Sequence, residues 1–368
     1  MKFTVNKSDI TEAVSNIQRA VSTKTSVPAL ECILVRAEEG NLELSAYDLS
    51  LGMTTTIPAR VEDGGKAAIP ARIFSEIVRR TPAETVTVEV DDRRIAAIKS
   101  GNFHTEIITT PAEEFPELPK IGDFTEIRLP SDVLKSMIRQ TLFAVAESDA
   151  KPVHQGSLFH LENGLLDVVS VDGYRLAKRT EHTDLAEDFS FVVPGKTLGE
   201  ILRLLKDTDE PVSLAAGQRH ILAKIDNYTL ISTLLEGEFL NYKSAIPPES
   251  KTEVVVKTRE LIDAVERVSL LITDRLKSPV RCQFGAEEIR LLCTTTMGRA
   301  DDALVAEDFT GEPVEIGFNN RYLLDALRNT ECDEVKIQLG GSLSPMKIVP
   351  KDGDSFLFLV LPVRLKSE

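Results

Sequence analysis

Along this chain the spacing of apolar residues alternates between two and about 3.6, the periods of a strand and a helix. In FTVNKSDITEAVSNIQRAV, from Phe3, a short alternating run passes into Ile10, Val14 and Ile17 at helical spacing. The same change occurs in IRLPSDVLKSMIRQTLFAV from Ile127, where Val133, Met137, Ile138 and Leu142 mark the apolar stripe. It occurs again in VVVKTRELIDAVERVSLLI from Val254. Ser, Thr or Asp opens each predicted helix, and Asp9-x-x-Glu12 reads as a capping box. Strand-rich runs follow, broken at Glu39-Gly40-Asn41, Asn163-Gly164 and Gly285-Ala286-Glu287, all turn-forming combinations.

The three segments are repeats spaced by about 124 residues. At that offset Tyr47-Asp48-Leu49 recurs as Val171-Asp172-Gly173, and EEFPELPKI (113–121) is echoed by GEFLNYKSAIP (237–247). Both echoes carry Pro and fall where a boundary belongs. Each segment also has a second half, opening AAIPARIFSEIVRR at Ala67, FVVPGKTLGEILRLLK at Phe191 and VEIGFNNRYLLDALRN at Val314. The pattern predicts an α+β chain of six strand–helix–strand–strand–strand units. Paired, they make three tandem domains, 1–121, 122–247 and 248–368. One unit of about 60 residues buries too little apolar surface to stand alone, whereas two packed together share a core, with helices on one surface and sheets on the other. Gly64-Gly65 and Gly340-Gly341 read as hairpin turns.

Composition narrows the function classes. The chain has 368 residues, 42% of them hydrophobic and 27% charged, which excludes a disordered protein. No run approaches 18 apolar residues, and MKFTVNKSDI lacks an apolar signal region, so a spanning helix and secretion are not expected. Cys32, Cys282, Cys293 and Cys332 are far apart, with no CxxC pair and no His at metal-ligand spacing; they are expected to be reduced, mostly buried thiols in a cytoplasmic protein, with no metal and no cofactor. Phosphate-loop, dinucleotide-binding, HExxH and GxSxG signatures are missing, and the five histidines form no cluster. The expectation is a protein without catalytic residues.

The net charge of −15 argues at first against nucleic acid, but it hides a pattern. Arg72 and Arg79, Lys196 and Arg203, and Arg321 and Arg328 each stand seven apart, at corresponding places in the three second-half helices. Seven residues is close to two turns, so each pair shares a helix face. One such pair by itself reads better as a solvated surface with ion pairs such as Glu76–Arg80. Three in register favour an extended basic surface touching phosphates without reading bases. With no Trp and 5% aromatics, stacking platforms for single strands are scarce, which favours loose contact with a duplex.

At this point the chain resembles the bacterial DNA polymerase III beta subunit family, the replication sliding clamps. The resemblance covers essentially the whole chain and is carried by the threefold repeat, VDGYRLAKR (171–179), EFLNYKSAIP (238–247) and VLPVRL (360–365). It implies the DNA clamp fold and a head-to-tail homodimer closed into a ring, helices lining the hole and sheets outside. Duplex DNA would thread the ring, which tethers polymerase as a processivity factor. A clamp loader would open it with ATP that the clamp does not bind. Implied partners are double-stranded DNA, a second copy of the chain, the polymerase III alpha subunit and other polymerases, the loader, and repair proteins carrying clamp-binding peptides. The implied place is the cytoplasm, at the nucleoid, and no membrane is involved.

Carried over by residue, the peptide pocket between the second and third domains would use Val171, Gly173, Tyr174, Arg175, Leu176, Leu240, Ser244, Ala245 and Ile246. Leu359, Val360, Leu361, Pro362, Val363 and Arg364 would close it; the strand LFLVLPV reads equally well as a core edge strand. Tyr174 stands where the family usually has His, His154 where an aliphatic residue is common, Ser244 where Arg is usual, and Lys366-Ser367-Glu368 extends the usual end. These differences bear on which peptides fit. Lys24, in the polar turn STKTS, and Lys151, in Ser148-Asp149-Ala150-Lys151, would join the six helix cations at DNA. Ile107 and Ile108 at one end and Leu270, Leu271 and Ile272 at the other would close the dimer. Two alternatives from other classes stand beside this reading. One is an enolpyruvyl-transferase-like enzyme, also of six small repeats but with two domains of three units. The other is an interaction scaffold without DNA.

Overall fold

All six predicted modules form. A computed structural model describes residues 1–148, 151–185, 188–273, 275–276 and 278–365. Strand Lys2–Asn6 leads into helix α1 (Lys7–Ile17), followed by strands Cys32–Glu38, Asn41–Tyr47 and Leu51–Pro58. Helix α2 (Ala71–Arg80) follows strand Gly65–Pro70 in the second module, α3 (Ser131–Leu142) follows Thr125–Pro130 in the third, and α4 (Gly195–Leu204) follows Phe189–Pro194 in the fourth. A short helix, α5 (Tyr242–Ala245), lies in the second link. Helices α6 (Thr258–Val268) and α7 (Asn320–Arg328) then open the last two modules after strands Thr252–Lys257 and Val314–Phe318.

The chain divides into two compact units, one of Met1–Asp132 with Arg203–Leu234, the other of Val133–Leu202 with the chain from Leu235 onward. The first holds a five-stranded sheet, with Phe103–Ile108 at one edge, and an eight-stranded sheet in which Leu51–Pro58 pairs antiparallel with Tyr228–Thr233. The second holds a four-stranded sheet, with Gly298–Val305 at one edge, and a nine-stranded sheet in which Arg175–His182 pairs antiparallel with Phe356–Val360. Each large sheet therefore joins strands about 180 residues apart in the chain, pairings that no local turn could set.

Burial follows the predicted periods with a few shifts. In α1 the buried face is Ile10, Ala13, Val14 and Ile17. Its cap is Asn6, whose side chain accepts from the Ser8 N–H at 3.1 Å, and not the Asp9–Glu12 box: the helix starts earlier, leaving Asp9 in the first turn, where a carboxylate favours the helix dipole. In α3 the buried stripe is Leu134, Met137, Ile138 and Thr141, so Val133 sits half-exposed beside it. Gly64-Gly65 is no hairpin, because the strands on either side, Arg60–Asp63 and Gly65–Pro70, belong to different sheets.

The nine-stranded sheet separates two apolar clusters. Along Phe356–Val360 the side chains alternate as a strand requires: Phe356, Phe358 and Val360 enter the larger cluster, under α6 and α7, while Leu357 and Leu359 enter the smaller one. The larger cluster is fully packed, with Phe358 edge-on to Phe143 at 5.2 Å and stacked on Phe356 at 4.7 Å. The smaller cluster gathers Val153, Leu158, Val169, Val171, Leu176, Val192, Tyr242 and Leu359. The link after residue 234 lies over it through Leu235, Phe239 and Ile246.

Candidate functional site

The smaller cluster ends at a tight turn. Asp172 Oδ1 accepts the N–H groups of Tyr174 and Arg175, both at 3.0 Å, and Gly173, between Asp172 and Tyr174, takes φ +85°, where a side chain would be strained. The repeat partner Asp48 makes the same turn, accepting from Ser50 N at 2.9 Å and Leu51 N at 2.7 Å. The Leu361 N–H donates to the Tyr174 carbonyl at 2.9 Å, which ties the last strand to this turn.

Arg175 locks the turn to α7. Its guanidinium pairs with Asp172 at 2.8 Å and Asp325 at 2.5 Å, and it lies over the rings of Tyr322 at 4.7 Å and Phe143 at 5.5 Å. Arg175 and Asp172 are largely buried, and each keeps a second partner, Asp325 for the guanidinium and the turn N–H groups for the carboxylate. Tyr174 stacks on Tyr322 at 5.7 Å yet stays 60% exposed. Leu240, Leu361 and Val363 are likewise large apolar side chains left in the open. An exposed apolar rim beside a buried apolar floor is what an occupied docking site needs. A groove of about 950 Å³ continues from Tyr174 and Arg175 past Asn319, Tyr322 and Val363.

The basic stripes stand on the solvent-facing sides of their helices. In α2 the buried residues are Ala71, Phe74, Ser75 and Val78, leaving Arg72 and Arg79 exposed. In α4 they are Thr197, Leu198 and Ile201, leaving Lys196 and Arg203 exposed. In α7 they are Leu323, Leu324, Ala326 and Leu327, leaving Arg321 and Arg328 exposed. Arg79 and Arg80 share Glu76, whose carboxyl is held below its ordinary range mainly by the Arg79 hydrogen bond. Arg328 pairs with Glu266 of α6 at 2.7 Å. Such exposed pairs are worth little and are readily exchanged for another anion. Lys24 and Lys151 are exposed as well.

Each unit also has an open sheet edge. Among the described residues strand Phe103–Ile108 has a neighbour on one side only, and Ile108 is 78% exposed. Among the described residues strand Gly298–Val305 is also an edge; the turn Ser269–Leu271 packs against it and leaves Leu270 80% exposed, and Met297 and Val305, at the two ends of the strand, are exposed as well. Edges of this kind are ready templates for pairing.

Comparison with known proteins shows the family. The family of the DNA polymerase III beta subunit matches through its N-terminal domain at residues 1–119, its central domain at 128–241 and its C-terminal domain at 243–364. The beta sliding clamp of Bacillus subtilis (strain 168) is 34% identical over 99% of this chain and 100% of its own length. The chain belongs to the DNA polymerase III beta subunit family. The beta sliding clamp of Halalkalibacterium halodurans is 30% identical over 99% of this chain and 100% of its own length. The crystal structure of the Bacillus subtilis clamp superposes with a TM-score of 0.95 at 32% identity, covering 100% of both chains. The Thermotoga maritima beta subunit gives 0.91 at 26% identity, covering 99% of this chain and 100% of that one. The fold is thus three tandem clamp domains, and the family is a non-catalytic processivity factor of DNA replication. The enolpyruvyl-transferase and scaffold alternatives find no support.

Within the beta-subunit fold the expected pocket residues divide by role. Val171, Leu176 and Leu359 are floor, and Ile246 packs at its side. Tyr174, Leu240 and Leu361 are rim, with exposed Ser244, Ala245 and Arg364 and half-buried Pro362 nearby in the chain. Val360 is different: strand alternation turns it away, into the larger cluster, where it is fully buried. Ile272 likewise packs against that cluster and lines the groove beside Tyr174, while Leu270 points outward. Asp149 and Ala150 of the Ser148–Lys151 loop, and the end Lys366-Ser367-Glu368, lie outside the described residues. Sequence reasoning passed over Val153, Tyr242 and Tyr322; only Tyr242 left a signal, as the aromatic centre of the repeated link.

Proposed function

We propose that two copies of this chain close head to tail into a ring of six domains, with boundaries near 121/122 and 247/248, that encloses duplex DNA and slides along it. The observation that carries the reading is the outward basic pair, seven apart, on the corresponding helix of each repeat, in α2, α4 and α7. Arg72, Arg79, Lys196, Arg203, Arg321 and Arg328, with Lys24 and Lys151, supply a mild, sequence-independent attraction to phosphates. Tight binding is unnecessary because topology holds the DNA, and the remaining acidic surface keeps duplex off the outside.

Closure joins the edge strand Phe103–Ile108 of one copy to Gly298–Val305 of the other. Ile107 and Ile108 bury against Leu270 and Leu271, a heterologous contact that a second copy completes. The floor of Val171, Leu176 and Leu359, with its rim of Tyr174, Leu240, Leu361 and Val363, takes a short apolar peptide from polymerases, including the alpha subunit, from the clamp loader and from repair proteins. Work at DNA places the protein in the cytoplasm, at the nucleoid; among the described residues no helix is long and apolar enough to cross a membrane. The test is retention after loading: protein loaded on circular DNA stays bound in high salt, and linearising the circle releases it. Equal retention on both forms refutes enclosure.

A further inference from the structure

The floor of the docking site lies on four strands in register. Its first rung is Val171, Leu176 and Leu359, and its second is Leu158 and Val169. At the third rung the same face turns polar: His160, Asp167 and Thr180 stand side by side. Asp167 is only 8% exposed, a costly place for a carboxylate unless every oxygen is satisfied. It is satisfied. Oδ1 accepts the Thr180 hydroxyl at 2.6 Å and lies 3.5 Å from Lys178 Nζ, and Oδ2 accepts the Tyr242 hydroxyl at 2.7 Å.

Tyr242 opens α5, a helix of four residues, far too short to hold itself together. Its local support is the Asn241 cap, where the Ser244 N–H donates to Asn241 Oδ1 at 3.3 Å. What fixes the segment on the sheet is side-chain anchoring: the buried Tyr242, Phe239 edge-on to His154 at 5.5 Å, and an exposed pair between Lys243 and Glu162. The Tyr242 ring packs in the apolar cluster while its hydroxyl ends on Asp167, so that hydrogen bond adds to the apolar anchors a directed contact between the segment and the sheet. The segment carries Leu240 and Ile246, one wall of the docking site.

We propose that Asp167, acting through the Tyr242 hydroxyl, is a positioning residue of the peptide site, setting the wall formed by residues 240–246. The proposal rests on the peptide-site reading above and adds to it a residue that does not touch the peptide. The free protein then presents the wall in its binding geometry, so a docked peptide need not order it, and loss of the anchor raises the dissociation rate more than it lowers the association rate.

The test uses the full-length protein and a fluorescein-labelled, Leu- and Phe-rich hexapeptide taken from the replicative polymerase of the same cell, read by anisotropy and stopped flow. Tyr242→Phe and Asp167→Val are each expected to weaken binding about tenfold, mostly through faster dissociation, with an unchanged dimer mass. The Tyr242→Phe/Asp167→Val double variant loses no more than either single one, because both remove the same bond. Asp167→Asn, which still offers an oxygen to Tyr242 and an N–H to Thr180, stays within about threefold of the parent; a general weakening of the fold gives no such rescue. Binding by Tyr242→Phe within twofold of the parent, or additive losses in the double variant, overturns the positioning role while leaving the site intact. Undiminished binding by Leu361→Asp overturns the site itself, and the positioning role with it.

Discussion

Ring closure gives the sharpest prediction, because the residues that should hold two chains together do little for one. Ile108 is 78% exposed and Leu270 is 80% exposed, so nearly the whole of each side chain is available to a partner. Burying a side chain of this size is worth about 1.5–3 kcal/mol. A head-to-tail dimer contains the contact twice, so one substitution counts in both interfaces. Ile108→Asp should therefore weaken the dimer by about 3–6 kcal/mol, roughly two to four orders of magnitude in Kd, before any penalty for burying the new carboxylate. Neither side chain lies in a core, so the far-UV spectrum and the cooperative melt should survive. The assay is sedimentation velocity across a dilution series for the parent, Ile108→Asp and Leu270→Asp. Each variant should sediment as a monomer where the parent is a dimer. Mixing the two variants should restore a dimer, because one of its two interfaces then joins an intact Ile108 end to an intact Leu270 end. If both variants remain dimeric, or if the mixture stays monomeric while the parent dimerises, the assigned contact is wrong.

Three further outcomes follow from other parts of the structure. Reversing charge at Arg72, Lys196 and Arg321 together should speed loss from circular DNA and flatten its salt dependence; an unaltered slope removes these residues from the DNA face. Gly156→Ala should cost about 1–3 kcal/mol in denaturant melts, because the new Cβ would lie 2.4 Å from the Val193 carbonyl oxygen, which is backbone and cannot move aside. At Gly52 the closest atom, also at 2.4 Å, is the tip of the Leu118 side chain, so Gly52→Ala should cost less, and the reverse order contradicts the packing. Burial, and then the hydrogen bond and charge of Asp167, push the Tyr242 phenol up from its ordinary value. The folded state thus keeps a proton that the unfolded chain releases at about pH 10. The stability this contributes is fully present below that pH and is lost as pH rises above it. Tyr242→Phe should show a shallower fall in Tm between roughly pH 9.5 and 11, and parallel curves would contradict the assignment.

The cysteines illustrate a reading that needed no fold. Their spacing predicted reduced, mostly buried thiols, and all four are free, three of them buried. Burial pushes Cys282 up to about 12 and raises the other three, which leaves them protonated and unreactive near neutral pH. The basic pairs were legible for a similar reason: a spacing of seven on a helix is a property of the local backbone, and burial of Phe74, Ile201 and Leu324 turned each pair outward. Helix starts were less secure, as Asn6 shows, because several polar residues compete for the cap and only the first committed turn decides among them.

By itself the sequence determined the six modules, their strand and helix order, the turns at Glu39-Gly40 and Asn163-Gly164, and the outward cations, all set by residues within a few positions of one another. Only the tertiary structure decided which strands meet across long stretches of chain, and so where the apolar floor lies. Arg175–His182 beside Phe356–Val360 is one such pairing; it turns Leu359 into the smaller apolar cluster and Val360 away from it. The same fold brought Arg175 to Asp325 and Tyr242 to Asp167, partners 150 and 75 positions apart. The physical reason is that a strand's two faces look alike in sequence until a second layer covers one of them. A buried charge, likewise, is chosen by whichever partner the fold delivers.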